Sequence, residues 1–189
     1  MNYADFQIAF WHPFGPHDRE SAEEIIARKR SEIENNGWTF WSFQRRNTDE
    51  WKRVLSIARG QPVFVFCSEG KGAIDPAREG SNSQPISCRS YCFAPAGNWV
   101  PMPDKIKVPH PFRPNKSLAS AFIVERIFHP IEEFSSPSVE WLRKSSGWDQ
   151  SKVPTRGEYL IRRGGINRMR RVRAVLELKS PFLATLSSE

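Results

Sequence analysis

Apolar positions along this chain change their period several times, and each change marks an element. In DFQIAFWH (5–12), Phe6, Ile8 and Phe10 recur at every second position, the spacing of a strand with one buried face. WHPFGPHDRE follows, and its two prolines and one glycine predict a loop. Ser21-Ala22-Glu23-Glu24 has the spacing of a capping box, with Ser21 at the N-cap and Glu24 at N3. The helix it opens sets Ala22, Ile25, Ile26, Lys29 and Ile33 along one face, and Gly37 is placed to stop it.

WTFWSF predicts a strand with large rings on both sides: Trp38 and Phe40 on one, Trp41 and Phe43 on the other. A sheet with one wet face alternates apolar with polar, so either both faces are buried or one is kept aromatic to stack on something flat. A short helix is expected around DEWKRVLSIA (49–58). PVFVFCS (62–68), β-branched and aromatic throughout, reads as a central strand buried on both faces.

SEGKGAIDPAREGSNSQP (68–85) lacks periodicity and reads as loop, ISCRSYCFA (86–94) as strand, and 95–117, with six prolines, as a long connector. ASAFIVERIFHPI (119–131) is the longest strand candidate. Glu125 and Arg126 break its apolar pattern and Pro130 ends its pairing. Pro137 to Lys144 suits a short helix carrying Val139, Trp141 and Leu142. GEYLIRR (157–163) and RVRAVLELK (171–179) are the last strands, with Gly164-Gly165 at the turn between them. No internal repeat is present. Strand, helix, strand, helix and then a mostly β remainder excludes a doubly wound parallel sheet. It predicts one α+β domain over 1–189, a mixed, strongly curved sheet with a few flanking helices.

Composition adds limits. At 39% hydrophobic and 12% aromatic residues, the chain fits a globular protein. No run reaches the roughly 18–20 apolar residues that span a bilayer. The opening MNYADFQIAFWHPFG lacks the basic and apolar regions of a secretory signal. Three cysteines, Cys67, Cys88 and Cys92, make no disulfide framework. Together these predict a cytoplasmic protein without membrane contact. The net charge of +7 is uneven: residues 150–189 carry 9 basic and 3 acidic side chains, a balance of +6, which leaves +1 for residues 1–149. That asymmetry predicts an anionic partner met by one region.

RRGGINRMRRVR (162–173) concentrates the excess in Arg162, Arg163, Arg168, Arg170, Arg171 and Arg173, with no lysine. Guanidinium is planar and permanently charged, and meets a phosphate with two parallel hydrogen bonds. These six are the candidate phosphate contacts. Of seven tryptophans, Trp38, Trp41 and Trp99 are the candidates for a base pocket, since an aromatic slot holds a planar group by stacking. The loop Cys67-Ser68-Glu69-Gly70-Lys71-Gly72 follows a strong strand, and adds Ser68 and Lys71 to that pocket. It is not a Walker A loop, because it lacks the four-residue gap and the Ser/Thr after lysine.

Other chemistry is less well supplied. His12, His17, Asp18 and Glu20 match no helix-borne metal motif, and Cys88-x3-Cys92 is too loose for zinc. No cofactor or metal is expected. Glu177-Leu178-Lys179 has the form of half a metal-dependent nuclease motif, for which Asp149 and Glu158 are the only nearby acids.

PVFVFCS with its connector, AFIVERIFHPIEEF running into a proline turn, VEWL and the late strand GEYLIRR together resemble the PUA-like superfamily, particularly its EVE- and YTH-type branch. The resemblance covers about residues 36–180, with 1–35 as an N-terminal strand–helix unit outside it. It implies a β-barrel flanked by helices that takes one base, often modified, into an aromatic pocket, with Ser68 at the pocket mouth. The expected function is non-catalytic binding of RNA or DNA. The alternatives are a small metal-dependent nuclease or nucleotide-processing enzyme, and a module docking an acidic protein.

Overall fold

The computed structural model describes residues 6, 8–17, 20–43, 61–70, 86–93, 99–101, 107–108, 119–129, 138–142, 159–164, 167–168 and 172–188. The predicted helix at 49–58 and nearly all of the loop 68–85 lie outside them. Within them the order is β1 (Ile8–Phe14), α1 (Ala22–Asn36), β2 (Thr39–Phe43), β3 (Val63–Glu69), β4 (Ile86–Phe93), β5 (Trp99–Pro101) and β6 (Lys107–Val108). Then follow β7 (Ala119–Phe128), β8 (Ser138–Leu142), β9 (Tyr159–Arg163), β10 (Asn167–Arg168) and β11 (Val172–Ser188). The class is α+β.

The capping box forms as its spacing predicts. Glu24 N–H donates to the Ser21 hydroxyl, and the Ser21 N–H donates to the Glu24 carboxylate at 2.7 Å. At the other end Gly37 takes φ 78, and its N–H closes the last turn on the Ile33 carbonyl. That left-handed conformation is why glycine ends the helix.

Strand order runs β10-β8-β9-β1-β3-β11-β4-β5, with β7 also on β11 and β2 on β7. β1 and β3 are parallel, and β11 is antiparallel to β3. Register sorts residues into two faces. One carries Ile8, Phe10, Phe14, Val63, Val65, Cys67, Ala174, Leu176 and Leu178 in one buried cluster with Trp41, Phe122 and the α1 residues Ala22 and Ile26. The other carries Ala9, Trp11, Phe64, Phe66 and Val175, joined by Phe6. β3 is sealed on both sides, as its composition predicts, with only Glu69 exposed.

The first face is concave. Phe10 and Phe122 lie on strands that are not hydrogen-bonded neighbours, yet their ring centroids are 5.2 Å apart, and Phe14 meets Trp41 edge-on at 5.1 Å. β11 follows this curvature by an irregularity in its pairing with β7. Leu178 pairs Val124 and Leu183 pairs Phe122, so four residues (179–182) oppose Ile123 alone. Such an insertion bends the strand. Phe182, inside it, has φ 72, a left-handed backbone for a bulky residue, and its side chain packs on the first core. Beyond the bend β11 exchanges β3 for β4 as its partner.

Several sequence expectations change: the connector 95–117 carries β5 and β6, β10 follows the turn at Gly164, and the last strand continues past 179 to Ser188. Residues 138–142 are a strand, β8, where a helix was expected: Val139 and Trp141 pair with Arg163 and Ile161 of β9, and this long-range pairing overrides the local helical spacing. Phe6 parts from Ile8 and Phe10, because the strand begins at Ile8 and Phe6 packs on the second core. The loop after β1 starts later than Pro13, which remains in the strand opposite Ser68. Phe14 accepts the Gly70 N–H, so its polar groups face β3 and those of Pro13 face the other way. On that side the pairing with β9 ends at Trp11, and proline's missing N–H is not required. The N-terminal strand–helix unit is built into the sheet, since β1 lies between β9 and β3.

Gly70 approaches β1 so closely that a Cβ there would sit 2.9 Å from the Phe14 backbone nitrogen and carbonyl carbon. Gly70→Ala is therefore expected to destabilise the protein by roughly 1–3 kcal/mol. A chemical-denaturation midpoint unchanged from wild type would refute that close approach.

Candidate functional site

The arginine segment is not gathered onto one surface. Register places Arg162 opposite both Ile8 and Glu140, on the concave face, and Arg168 opposite Ser138, which shares the face of Glu140. Arg163 opposes Val139 and falls on the other face. Arg170 and Arg171 lie outside the described residues.

Arg173 occupies a special position. Val172 pairs Ser68 while Ala174 pairs Cys67, so Arg173 is an extra residue in β11 at a β-bulge. Val172 belongs to the second core and Ala174 to the first, and the inserted arginine absorbs that change of face. Its guanidinium donates to Glu23 of α1 at 2.6 Å and to Glu69 of β3 at 3.3 Å. Arg173 is thus committed to two carboxylates, which corrects its assignment as a phosphate contact. Sequence reading missed this because both acids lie far away in the chain, and the bulge exists only in the register with β3.

The aromatic candidates are dispersed as well. Trp41 is 4% exposed, its ring held by Phe14 and by the edge of His12 at 6.4 Å. It is a core side chain rather than a pocket wall, which corrects the expectation of stacking there. Phe40, on the opposite face of β2, is buried too, so the two-sided aromatic pattern reflects burial on both faces. Trp38 is half-buried and meets Phe40 edge-on at 4.9 Å. Trp99 pairs Phe93 on β5, at the end of the strand path opposite β10. Ser68 is buried at the carboxyl end of β3. Lys71 lies outside the described residues.

The carboxyl ends of parallel β1 and β3, beside the start of α1, are where open α/β sheets place ligands. Here that position is occupied by carboxylates: Glu24 caps the helix, and Glu23 and Glu69 hold Arg173. Anion binding at this helix end is thereby disfavoured. His12 and Cys67 are register partners on the same face, but burial pushes the Cys67 thiol well above its ordinary value, so it is no thiolate nucleophile.

Beneath α1 lies a buried ionic cluster. Lys29 Nζ donates to Glu32 Oε2 at 2.8 Å and to the Thr39 hydroxyl at 3.3 Å, and that hydroxyl donates to Glu32. Arg28 adds a bond to Glu32 at 2.9 Å and a two-pronged pair with Glu20 at 2.7 and 2.8 Å. Glu20 also closes a tight turn by reciprocal backbone bonds with His17. The histidine-rich segment thus shapes a turn. Among the described residues no group of three or more His, Cys, Asp or Glu is arranged to hold a metal. Cys88 and Cys92 share β4, where four residues span about 13 Å, too far for one zinc. Glu177, the nuclease candidate, is paired with Arg126 across β11 and β7 at 3.3 Å. No helix among the described residues is long and apolar enough to cross a membrane.

Comparison with known proteins found no match to any protein family, to any curated protein or to any solved structure.

Burial dominates the ionisation of Lys29 and lowers its pKa from the ordinary 10.5, against the pull of Glu32. Between the lowered folded value and 10.5 the unfolded chain binds more protons, so stability contributed here rises as pH increases through that window. Lys29→Met is expected to abolish that slope and leave stability near or above wild type at neutral pH. Glu32→Ala, which strands a buried ammonium, is expected to cost about 3–5 kcal/mol. Denaturant melts of both variants between neutral and alkaline pH check this; a Lys29→Met protein as unstable as Glu32→Ala would refute it.

Proposed function

We propose that this chain is a non-catalytic nucleic-acid-binding domain of PUA-like type, in which arginines at the β9–β10 edge hold phosphates and an aromatic side chain takes one base, modified or not. The charge surplus carries the reading. Arg173 is paired with acids from before residue 150, and Glu177 is paired with Arg126. Removing both from the balance of 150–189 leaves 9 − 1 = 8 basic and 3 − 1 = 2 acidic residues, still +6. These ion pairs among the described residues therefore leave that balance unchanged.

Arg162 and Arg168 sit on one sheet face, two strands apart. Register sets a carboxylate residue, Glu140, opposite Arg162 but Ser138 opposite Arg168, so Arg168, on β10 at the end of the described strand path, is assigned as the stronger phosphate ligand. The barrel reading draws support from the concave first face, across which β1 meets β7 and β2 through their rings. Closure of that barrel is part of the proposal. Backbone contacts of this kind supply affinity and salt dependence, while a base contact supplies selectivity.

Anisotropy titrations of short labelled oligonucleotides across a salt series test it. Arg162→Gln and Arg168→Gln are expected to weaken binding and reduce the slope of log K against log salt by roughly 0.7 each on a single strand. Arg173→Gln is expected to leave both unchanged. If wild-type protein binds no oligonucleotide even at low salt, and instead co-purifies with an acidic protein, the arginines serve a protein partner.

A further inference from the structure

Resting on the nucleic-acid reading, we infer that Trp141, with Arg163 and Asn167, forms the base-contacting patch, and that the ligand is a single strand crossing the β10 edge of the sheet. Nothing in the sequence pattern singled out Trp141, because residues 138–142 read there as a helix. As a strand, β8 places it in a specific neighbourhood. Trp141 pairs Ile161, so Arg163 is its diagonal neighbour across β9. Val139, two residues before Trp141, pairs both Arg163 on one side and Asn167 on the other. Asn167 is therefore the second diagonal neighbour, across β10. Diagonal positions lie about 7–8 Å apart, within reach of aromatic and long side chains.

The chemistry of that trio differs from its surroundings. Ile161 pairs Ala9, whose face belongs to the sealed second core. From there outward the same face carries Ile161 and Arg163 on β9, Trp141 and Val139 on β8, and Asn167 on β10, so an indole, a guanidinium and an amide stand in register around one valine. An indole supplies a stacking surface, and amide and guanidinium supply the donors and acceptor that read a base edge. The other three pocket candidates are less well situated: Trp41 is buried, and Trp38 and Trp99 lie on β2 or just before it and on β5, strands remote from β10 in the sheet order.

Arg162 and Arg168 occupy the opposite face from this trio. Phosphates on one face and a base on the other require the nucleotide chain to pass over the β10 edge with that base unstacked from its neighbours. A single strand permits this at little cost; a duplex must first be unpaired.

The experiment compares an unpaired oligonucleotide, the same strand with one abasic site at each position in turn, and its duplex. Wild type is expected to favour the single strand over the duplex, and to lose about tenfold or more in affinity at one abasic position. Trp141→Ala should remove that abasic penalty without altering the salt slope, and Trp141→Phe should retain it. Arg163→Gln and Asn167→Ala, at the sheet margin, should each reduce the penalty severalfold, and they serve if Trp141→Ala does not fold by circular dichroism. A penalty unchanged in Trp141→Ala, or in both margin variants, overturns the patch while leaving phosphate binding by Arg162 and Arg168 intact. Equal or tighter binding of the duplex overturns the single-strand assignment. Absence of any binding by wild type removes the nucleic-acid reading itself.

Discussion

Six of the seven residues of β3 are sealed from solvent, and the five apolar ones divide between two hydrophobic clusters on opposite faces of the sheet. Everything else in the described fold accommodates that double burial. A strand with no wet face needs its backbone satisfied on both sides, and parallel β1 and antiparallel β11 supply those ladders. It also needs apolar cover above and below. On the concave side the cover is α1 together with the rings of Trp41 and Phe122, brought over by the curvature of β7 and β11. Each large aromatic on that face contributes roughly 1.5–3 kcal/mol through burial, which accounts for rings at positions that a half-wet sheet would fill with polar residues.

The same curvature explains where irregularities fall. A strand bonded to β3 along its first half and β4 along its second must change direction between them, and the inserted residues 179–182 stand at that point. The second irregularity, at Arg173, sits where β3 runs out and frees an arginine to tie α1 to the sheet through Glu23 and Glu69. Half-exposed pairs of this sort add little energy individually, so their effect is on the placement of α1 more than on stability. The buried Lys29–Glu32–Thr39 cluster acts at the other end of the helix. Its charged groups are costly to bury and specific in geometry, fixing the angle at which the chain leaves α1 for β2.

Local signals in the sequence were informative wherever the controlling interaction was itself local. The capping box at Ser21 and Glu24, the stop at Gly37 and the continuous apolar run of β3 all depend on neighbours within a few residues. Lys29 on the apolar face of α1 was visible too, though its partner Thr39 was not. What the sequence concealed depends on distant pairing: β8 carries residues with helical spacing that become a strand because β9 and β10 flank it. The candidate site suffered most from this. Six arginines adjacent in sequence look like one patch, but a strand alternates its faces and a bulge inverts that alternation, so Arg162, Arg163 and Arg173 end on different sides with different partners. The aromatic signal failed for a related reason, since Trp41 reads the same whether its face meets a ligand or the core.

Charge surplus and register therefore carry different parts of the functional argument. Among the described residues the surplus survives removal of the ion pairs, because one arginine and one carboxylate leave the balance together. Register then distributes that surplus over both sides of a sheet margin instead of concentrating it on one. On the proposed reading, a flat polyanion surface such as the side of a duplex would engage Arg162 and Arg168 alone and leave Arg163 without a base to contact. A flexible strand turning over the margin, as proposed, would meet both halves, because its backbone and its bases can diverge. The division of the arginines, which weakens the idea of a single basic patch, is thus the feature that favours an unpaired nucleic acid over a paired one.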